Sequence, residues 1–384
     1  MQRIKYKESV KKNIFPHTQA KLDLYKGYLE HYLRVLGYAD FCKQISLFDL
    51  YCGAGIYDDG KKGSPLLTID CIKNINAEII NSGMKIKPIY LAVNDYDTQK
   101  VERVRNNINI QDIENCTIEY YNKDANEMLD IVATRVSKYP NDYRNLVFLD
   151  PYGYSNIKKD KIINLLTNGC TEVIMFLPVM QMYRFTEIAF IDEERPHYEN
   201  LRQFIISFFN DLERLKTESI FEFIRSIKEA LSINNQYFTC SHYIEREKGS
   251  YYALFFISSS IYGLEKMLET KWKEDPVKGK GFNQNKCPMQ LSMFDEELNE
   301  IDNLREISFL ENSIYQLIKL REGVTNIEIY KLSLTSEFIP KHANKALRNL
   351  INQNKIQEIN NSVAFGINYT NYKAKKVIST FRAL

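Results

Sequence analysis

The chain has few of the features that mark membrane, secreted or metal-binding proteins. Its 384 residues contain no run of about 18 uncharged apolar residues, so the sequence predicts no membrane span. Residues 1–7 contain no apolar segment, which argues against secretion. The seven cysteines are scattered and include no C-x-x-C pair. We therefore expect reduced thiols, no metal site and a cytoplasmic location.

The net charge of +2 hides an uneven distribution. Residues 1–21 carry six Lys/Arg and one acid, a net charge of +5, and residues 339–384 carry eight and one, a net charge of +7. The chain between them is therefore acidic, at −10. Basic ends on an acidic body are typical of proteins that bind a phosphate backbone, although a solvated surface explains the N-terminal cluster equally well.

A glycine turn follows the first predicted strand. The strand, residues 46–51, contains Asp49 and ends in Tyr51, and Gly53 and Gly55 come next. Glycine allows positive φ and close approach of a ligand to the backbone. The third glycine of the dinucleotide fingerprint is missing. The pattern therefore favours S-adenosylmethionine (SAM) over NAD, with a purely structural turn as the alternative.

Acidic residues follow the next two predicted strands. Strand 88–93 leads to Asp95, the position expected to meet a nucleoside ribose, with Asp97 in reserve. Strand 116–121 leads to Asp124 and Ala125, which we expect to meet the adenine amine. A simple N-cap for the following helix is the alternative reading of Asp124.

The strongest catalytic signal follows the fourth predicted strand, residues 145–149. It ends in Asp150-Pro151-Tyr152-Gly153, an acid, a carbonyl preceding a tight turn, and an aromatic ring. Enzymes that methylate base amines need acceptors that orient the amine and a ring that stacks on the base. We predict that Asp150 and the Pro151 carbonyl orient the amine and that Tyr152 stacks. A turn of purely steric origin is the alternative.

The remaining elements complete an α/β pattern around this edge. A helix over residues 16–37 carries His17 and Lys21 one turn apart, and we expect a surface pair without a function. The alternative is that the helix lays both over the ligand pocket, and we keep them as candidate site residues on that ground. Strand 172–178 precedes an irregular aromatic stretch through residue 190, and helices 201–216 and 219–231 form an inserted cap. Runs 237–245 and 250–259 predict an antiparallel hairpin. The predicted fold is a Rossmann-like SAM-methyltransferase sheet, parallel with an antiparallel edge hairpin, over residues 1–290 with a helical insertion at about 180–235.

Residues 303–384 have the element order of a winged helix. Helices over 308–321, 327–334 and 340–354 precede two β-like runs, 356–359 and 363–367, which we expect to pair as a hairpin. The third helix is expected to turn one basic face toward a major groove. Winged helices also serve as protein-docking modules, which is the alternative. The predicted nucleic-acid-binding residues are Lys341, His342, Lys345 and Arg348.

Together these motifs resemble the three-Cys-motif partner (TcmP) family. The resemblance runs from the His17–Lys21 helix through the glycine turn and Gly63-Ser64-Pro65 to the strand at 251–256, the helix ending near Trp272 and the terminal region. It implies a SAM-methyltransferase fold and cofactor, and a radical-SAM-like partner protein that bears three cysteines. Asp150-Pro151-Tyr152-Gly153 departs from the Asp-Pro-Pro-Tyr form of many adenine and cytosine amino-methyltransferases and is closer to the Asp-Pro-Phe-Gly of a guanine-N2 tRNA methyltransferase family.

The sequence therefore predicts a SAM-dependent methyltransferase that acts on a nitrogen of a DNA or RNA base. One alternative is a catalytically silent, methyltransferase-like protein that binds nucleic acid and serves a radical-SAM-like partner. A second is an enzyme that transfers a group from SAM or another nucleotide to a small molecule and uses its winged helix for protein docking.

Overall fold

The structure, a computed structural model, describes residues 14–109, 111–151, 157–191, 198–209, 219–247, 249–283, 293–360 and 362–384. Strands and helices alternate through the first half of the chain, because short apolar runs rich in Ile, Leu, Val and Phe are separated by amphipathic segments. The elements of this half are α1 (Pro16–Tyr38), β1 (Gln44–Asp49), α2 (Ser64–Asn81), β2 (Ile89–Asn94), α3 (Thr98–Asn109), β3 (Cys116–Tyr121), α4 (Ala125–Ser137), β4 (Tyr143–Leu149), α5 (Lys159–Leu166) and β5 (Thr171–Leu177).

The first five strands form a parallel sheet in the order β3-β2-β1-β4-β5. Strand β1 pairs with both β2 and β4, so that Asp49 lies beside Val93 and Phe148. Every residue of β2 and β5 is buried, as expected for strands covered on both faces. This order is that of a doubly wound Rossmann sheet, in which ligands bind at the carboxyl ends of the strands near β1 and β4.

The second half continues the sheet and adds helices. Its order runs on from β5 as β7-β6-β8. Strands β6 and β7 are neighbours in the sheet and are joined by only two residues, a connection that requires antiparallel pairing. The fold is mixed α/β with a large, mostly parallel sheet. The elements here are α6 (Val179–Ile191), α7 (Glu199–Phe208), α8 (Ile220–Ser232), β6 (Phe238–Glu247), β7 (Ser250–Ser258), α9 (Ile261–Glu274) and β8 (Gly281–Asn283).

The chain divides into two compact units. The first, called the N-terminal unit, comprises Met1–Ile227 and Ile244–Leu254; the second, the C-terminal unit, comprises Lys228–Tyr243 and Phe255–Leu384. The boundary expected between residues 290 and 303 includes residues 291 and 292, which lie outside the described part of the chain, and residues 293–302, which are helical. That boundary stays a prediction.

One predicted irregular segment is a helix. Residues 179–191 form α6, whereas the sequence analysis placed an irregular aromatic stretch there. Pro178 directly precedes the helix, and its carbonyl accepts hydrogen bonds from the amides of Gln181 and Met182 in the first turn. The aromatic side chains of this segment concealed its helical character. The cap helix predicted over 201–216 is shorter, because α7 ends at Phe208 and residues 210–218 lie outside the described part.

The last part of the chain packs three helices against a small antiparallel sheet of order β10-β11-β9. The predicted pairing of 356–359 with 363–367 is wrong: β10 pairs instead with β11, with Glu358 opposite Phe381. Gly366 has φ of 71°, and a Cβ there would lie 2.8 Å from Ile378, so this segment turns rather than extends. The elements are α10 (Met293–Lys319), β9 (Val324–Thr325), α11 (Asn326–Thr335), α12 (Pro340–Asn352), β10 (Ile356–Glu358), α13 (Tyr369–Lys373) and β11 (Thr380–Ala383).

Candidate ligand site at the carboxyl edge of the sheet

Asp49 ends β1 and is almost fully buried, at 1% exposure. One carboxylate oxygen accepts a 2.6 Å hydrogen bond from the hydroxyl of Ser64, the first residue of α2, and the other lies 3.4 Å from the amide of Tyr51. Burial raises the pKa of Asp49 from its ordinary value of 3.8 to about 7, because these two hydrogen bonds only partly offset the loss of water. At neutral pH the side chain of Asp49 is therefore close to the midpoint of its titration, between the protonated and the ionised form.

The glycine turn brings the backbone close to the neighbouring elements. Gly53 and Gly55 have φ of 61° and 78°, the left-handed region that glycine adopts without steric cost. A Cβ on Gly55 would lie 3.0 Å from Val104, and the Gly55 carbonyl accepts a 2.7 Å hydrogen bond from the amide of Gly63, just before α2. The two glycines thus allow the chain to reverse between β1 and the start of α2.

Asp95 follows β2, is 4% exposed, and holds the glycine turn in place. Its carboxylate accepts hydrogen bonds from the amides of Gly53 at 3.1 Å and Asp97 at 2.9 Å, and Lys100 lies 3.9 Å away. Asp95 therefore has a structural role in the fold, and the expected ribose contact stays a prediction. Asp97 accepts from the amide of Gln99 at the start of α3, which makes it a helix-start residue.

Two asparagines at this edge were not singled out from the sequence. Asn94, 1% exposed, donates to the carbonyls of Leu50 and Lys123 at 3.1 and 3.2 Å and thereby ties the ends of β1 and β3 together. Asn122 donates to the carbonyls of Asp95 and Tyr96. The only signal that could have found them is their position, since each stands directly at the end of a predicted strand.

Asp124 caps α4, as its alternative interpretation held. Its carboxylate accepts a 2.9 Å hydrogen bond from the amide of Asn126, while the residue remains exposed. Ala125, the first helical residue, is half-buried beside it. A cap uses only part of the capacity of a carboxylate, so the side chain can still accept from a ligand.

The half-buried Tyr51 lies among these acids. Burial is the largest cause that raises the pKa of its hydroxyl, followed by the negative charges of Asp124, Asp150 and Asp95. The acids after β2, β3 and β4 therefore lie near Tyr51, and those after β2 and β4 also act on Asp49, the last residue of β1. Among the described residues, no group of three His, Cys, Asp or Glu side chains is close enough to hold a metal ion. The carboxylates are thus spread over an area rather than gathered at one point.

Asp150, directly after β4, forms an ion pair with Lys21 of α1. Burial opposes the charge on Lys21, but Asp150, with smaller contributions from Tyr57 and Tyr252, outweighs it and the pKa of Lys21 is raised. Pro151 is buried, whereas Tyr152 lies outside the described residues. The structure thus brings together two predicted site residues that are 129 positions apart in the chain.

His17 lies one turn before Lys21 on α1 and takes part in a stack of rings. Its imidazole is 5.5 Å from the Phe15 ring and 6.1 Å from the Tyr252 ring, at interplanar angles of 18° and 12°. The Lys21 ammonium lies 5.6 Å above the ring of Phe176 in β5. Helix α1 therefore carries both predicted residues to the carboxyl edge of the sheet, beside Asp150.

Three of the four predicted nucleic-acid-binding residues share one exposed face of α12. Lys341, Lys345 and Arg348 are exposed at i, i+4 and i+7. His342 does not join them: it is 6% exposed, and its ring lies 4.2 Å from that of Trp272. The expected exposure of His342 is wrong, because apolar partners that no local pattern shows cover the ring.

No protein-family model matches the sequence, and no curated protein matches it. Among solved structures, the chain is similar to WbdD, with 11% identity, a TM-score of 0.32 and coverage of 62% of this chain and 40% of WbdD. It is also similar to the magnesium protoporphyrin IX methyltransferase ChlM from Synechocystis PCC 6803 with bound SAH, at 10% identity, a TM-score of 0.32 and coverage of 63% and 84%. For a loganic acid methyltransferase with SAH, identity is 8%, the TM-score 0.32 and coverage 75% and 87%.

The chain spans about 40% of the length of WbdD. No helix in the described part of the chain is long and apolar enough to span a membrane.

Proposed function

We propose that this chain is a SAM-dependent methyltransferase that acts on a nitrogen of a nucleic-acid base. The observation that supports the cofactor is the charge of the site: three carboxylates, from Asp49, Asp95 and Asp124, lie at the carboxyl ends of three neighbouring strands, close to Tyr51. SAM carries positive charge on its sulfonium and its ammonium. Such a ligand gains from nearby acids, whereas the phosphates of NAD or ATP would be repelled by them.

Each residue of the site has a part in this proposal. The backbone around Gly53 and Gly55 allows close approach of the cofactor, Asp49 faces its cationic end, and Asp95 and Asp124 retain acceptor capacity for hydroxyl and amine groups. SAM supplies an electrophilic methyl group when it is bound. The chain therefore needs no activated nucleophile of its own. It has to hold the acceptor nitrogen in line with the bond between the sulfonium and the methyl group.

Calorimetric titration tests the cofactor. We expect SAM and SAH to bind, and NAD and ATP to bind far more weakly or not at all. Asp150→Ala should retain SAM binding and lose methyl transfer to total RNA or genomic DNA, because Asp150 is assigned to the acceptor and not to the cofactor. Equal affinity for ATP and SAM would contradict the charge argument. Undiminished transfer by the variant would remove Asp150 from the mechanism.

For the polymer, we propose a winged helix in the C-terminal unit, with α12 as its basic helix. Support comes from the order α10-β9-α11-α12-β10-α13-β11, in which the short α13 lies between the last two strands, and from the exposed basic face of Lys341, Lys345 and Arg348. Binding of a mixed-sequence DNA duplex should weaken steeply as the salt concentration rises. The double variant Lys345→Ala/Arg348→Ala should reduce the slope of log affinity against log salt concentration by about the amount that two phosphate contacts contribute. Lys319→Ala/Arg321→Ala, at the end of α10, is the matched control. An unchanged slope in the α12 variant would contradict this role.

The remaining parts of the proposal concern family, partner and location. Membership of the TcmP family, a radical-SAM-like three-Cys-motif partner and a cytoplasmic location are proposed from the motifs and the unpaired cysteines of the sequence. Co-purification from the native host, with and without SAM, tests the partner. A chain recovered alone under both conditions would count against an obligatory complex.

A further inference from the structure

We propose that the methyl acceptor is a planar ring that stacks on a platform formed by Phe15, His17 and Tyr252. The Lys21–Asp150 pair would then meet the polar edge of that ring. This inference rests on the proposed function and deepens it, since it names the residues that recognise the acceptor. The rings that stack on the acceptor are then those of Phe15 and His17 at the start of α1 and of Tyr252 in β7, and not the ring of Tyr152, for which the sequence predicts that role.

The platform has the geometry that stacking requires. The Phe15–His17 and His17–Tyr252 centroid distances, 5.5 and 6.1 Å, lie in the range of offset-stacked rings, and the rings are within 18° of parallel. Phe15 is 42% exposed, and His17 and Tyr252 are half-buried. A row of parallel, partly exposed rings presents π-surface to a flat ligand, as proteins do when they bind unpaired bases.

The ion pair lies beside this platform. Tyr252 contributes to the electrostatic environment of Lys21, and Lys21 is one helical turn from His17. The pair is not closed to a ligand, since the side chains of Lys21 and Asp150 are 18% and 26% exposed. An ammonium has three donors and a carboxylate about four acceptor positions, so both retain capacity after pairing. Together they offer a donor beside an acceptor, which suits the pairing edge of a nucleobase.

In the competing explanation these contacts have a purely structural role and only hold α1 against the sheet. The two explanations make different predictions for the binding of a small aromatic probe. Contacts with a purely structural role affect only the stability of the fold, whereas a platform also stacks on a base that is supplied in solution. The probe is a single-stranded trinucleotide with 2-aminopurine at its centre, because the fluorescence of this base falls when it stacks.

We expect the wild-type chain to quench the probe saturably in the presence of SAH. Tyr252→Leu and His17→Leu should weaken binding at least about tenfold, within the range for loss of one base–aromatic stack. Tyr252→Phe should behave as wild type, because the ring and not the hydroxyl is used. Tyr251→Leu is the matched control: it alters the neighbouring tyrosine, whose ring contacts Phe221 and which points to the opposite face of β7.

Thermal melting shows that each variant is folded before it is compared. Equal quenching by the wild type and a folded Tyr252→Leu variant would overturn the platform. A wild-type chain that binds SAM in calorimetry but leaves the probe fluorescence unchanged would also overturn it. Failure of the wild type to bind SAM would instead refute the proposed methyltransferase activity, and the probe titration without SAH would still decide whether the rings stack on a base.

Discussion

Replacement of Asp49 by asparagine should stabilise the ligand-free protein at alkaline pH while it removes affinity for a cationic ligand. The carboxylate is 1% exposed, and burial raises its pKa to about 7. Asparagine keeps the size and the hydrogen-bonding positions. The hydroxyl of Ser64, which now donates to Asp49, can rotate to accept from the amide. The substitution therefore removes the charge and little else.

The magnitude follows from linkage between protonation and folding. A folded pKa above the unfolded value gives stability that is complete below the unfolded value and is lost as the pH rises through the folded value. With the pKa of Asp49 at 3.8 when unfolded and about 7 when folded, the wild type loses about 2 kcal/mol between about pH 5.5 and about pH 8. The asparagine variant has no such loss, so its advantage should grow by that amount over the same interval.

Urea unfolding at the two pH values measures the effect, with Asp58→Asn as the matched control because Asp58 is exposed. Titration of SAM completes the design. Wild-type affinity should rise with pH through about 7 as Asp49 ionises, and the Asp49→Asn variant should show weak, pH-independent binding. A stability difference that does not change with pH would refute the raised pKa. Unchanged SAM affinity in the variant would refute the role of Asp49 at the cationic end of the ligand.

Three further predictions concern stability. His242 is 1% exposed, and among the described residues neither ring nitrogen has a hydrogen-bond partner. Burial, followed by the charge of Lys271, lowers its pKa to about 3, so the free energy of unfolding should fall by about 2 kcal/mol from about pH 7 to about pH 5, and His242→Leu should lose this dependence in urea unfolding. Glu337 pairs with Lys228 and Lys271, so Glu337→Gln should lower the free energy of unfolding by about 3–5 kcal/mol, and an effect below about 1 kcal/mol would contradict this. Gly55→Ala should lower the melting temperature more than Gly60→Ala, since both have positive φ but only Gly55 has a close neighbour, Val104; equal shifts would show that φ alone matters.

The parallel sheet could be predicted from the sequence because each of its strands is a short apolar run with its own turn signal. Predicted strand 116–121 matches β3 residue for residue, and the start of β1 differs by two residues. The acids at the strand ends could be found by the same reasoning, since parallel strands bring their carboxyl ends to one edge. Local sequence carries this information, because both the strand and its end depend on neighbouring residues.

Features that depend on distant partners could not be predicted. The burial of His342 depends on Trp272, which lies 70 positions earlier and in another helix. The strand partner of residues 356–358 depends on β11, because the intervening 21 residues contain a short helix instead of a tight hairpin. Local periodicity reports which face of an element is apolar, and it does not report which element covers that face.

The ion pair of Lys21 with Asp150 distinguishes two sides of the site by their charge. In the sequence Lys21 is one lysine among the basic residues of the N-terminal segment, and a surface position without a function is the expected explanation. In the fold it is the cation paired with Asp150, the acid after β4, whereas the buried Asp49 after β1 has no lysine or arginine in hydrogen-bonding contact among the described residues. The edge of the sheet is thus divided into an acidic side, suited to a cationic cofactor, and a side where a donor and an acceptor stand together beside stacked rings. The acidic side and the side with the Lys21–Asp150 pair differ in the chemistry that they offer to a ligand. This difference supports a site that binds two different molecules.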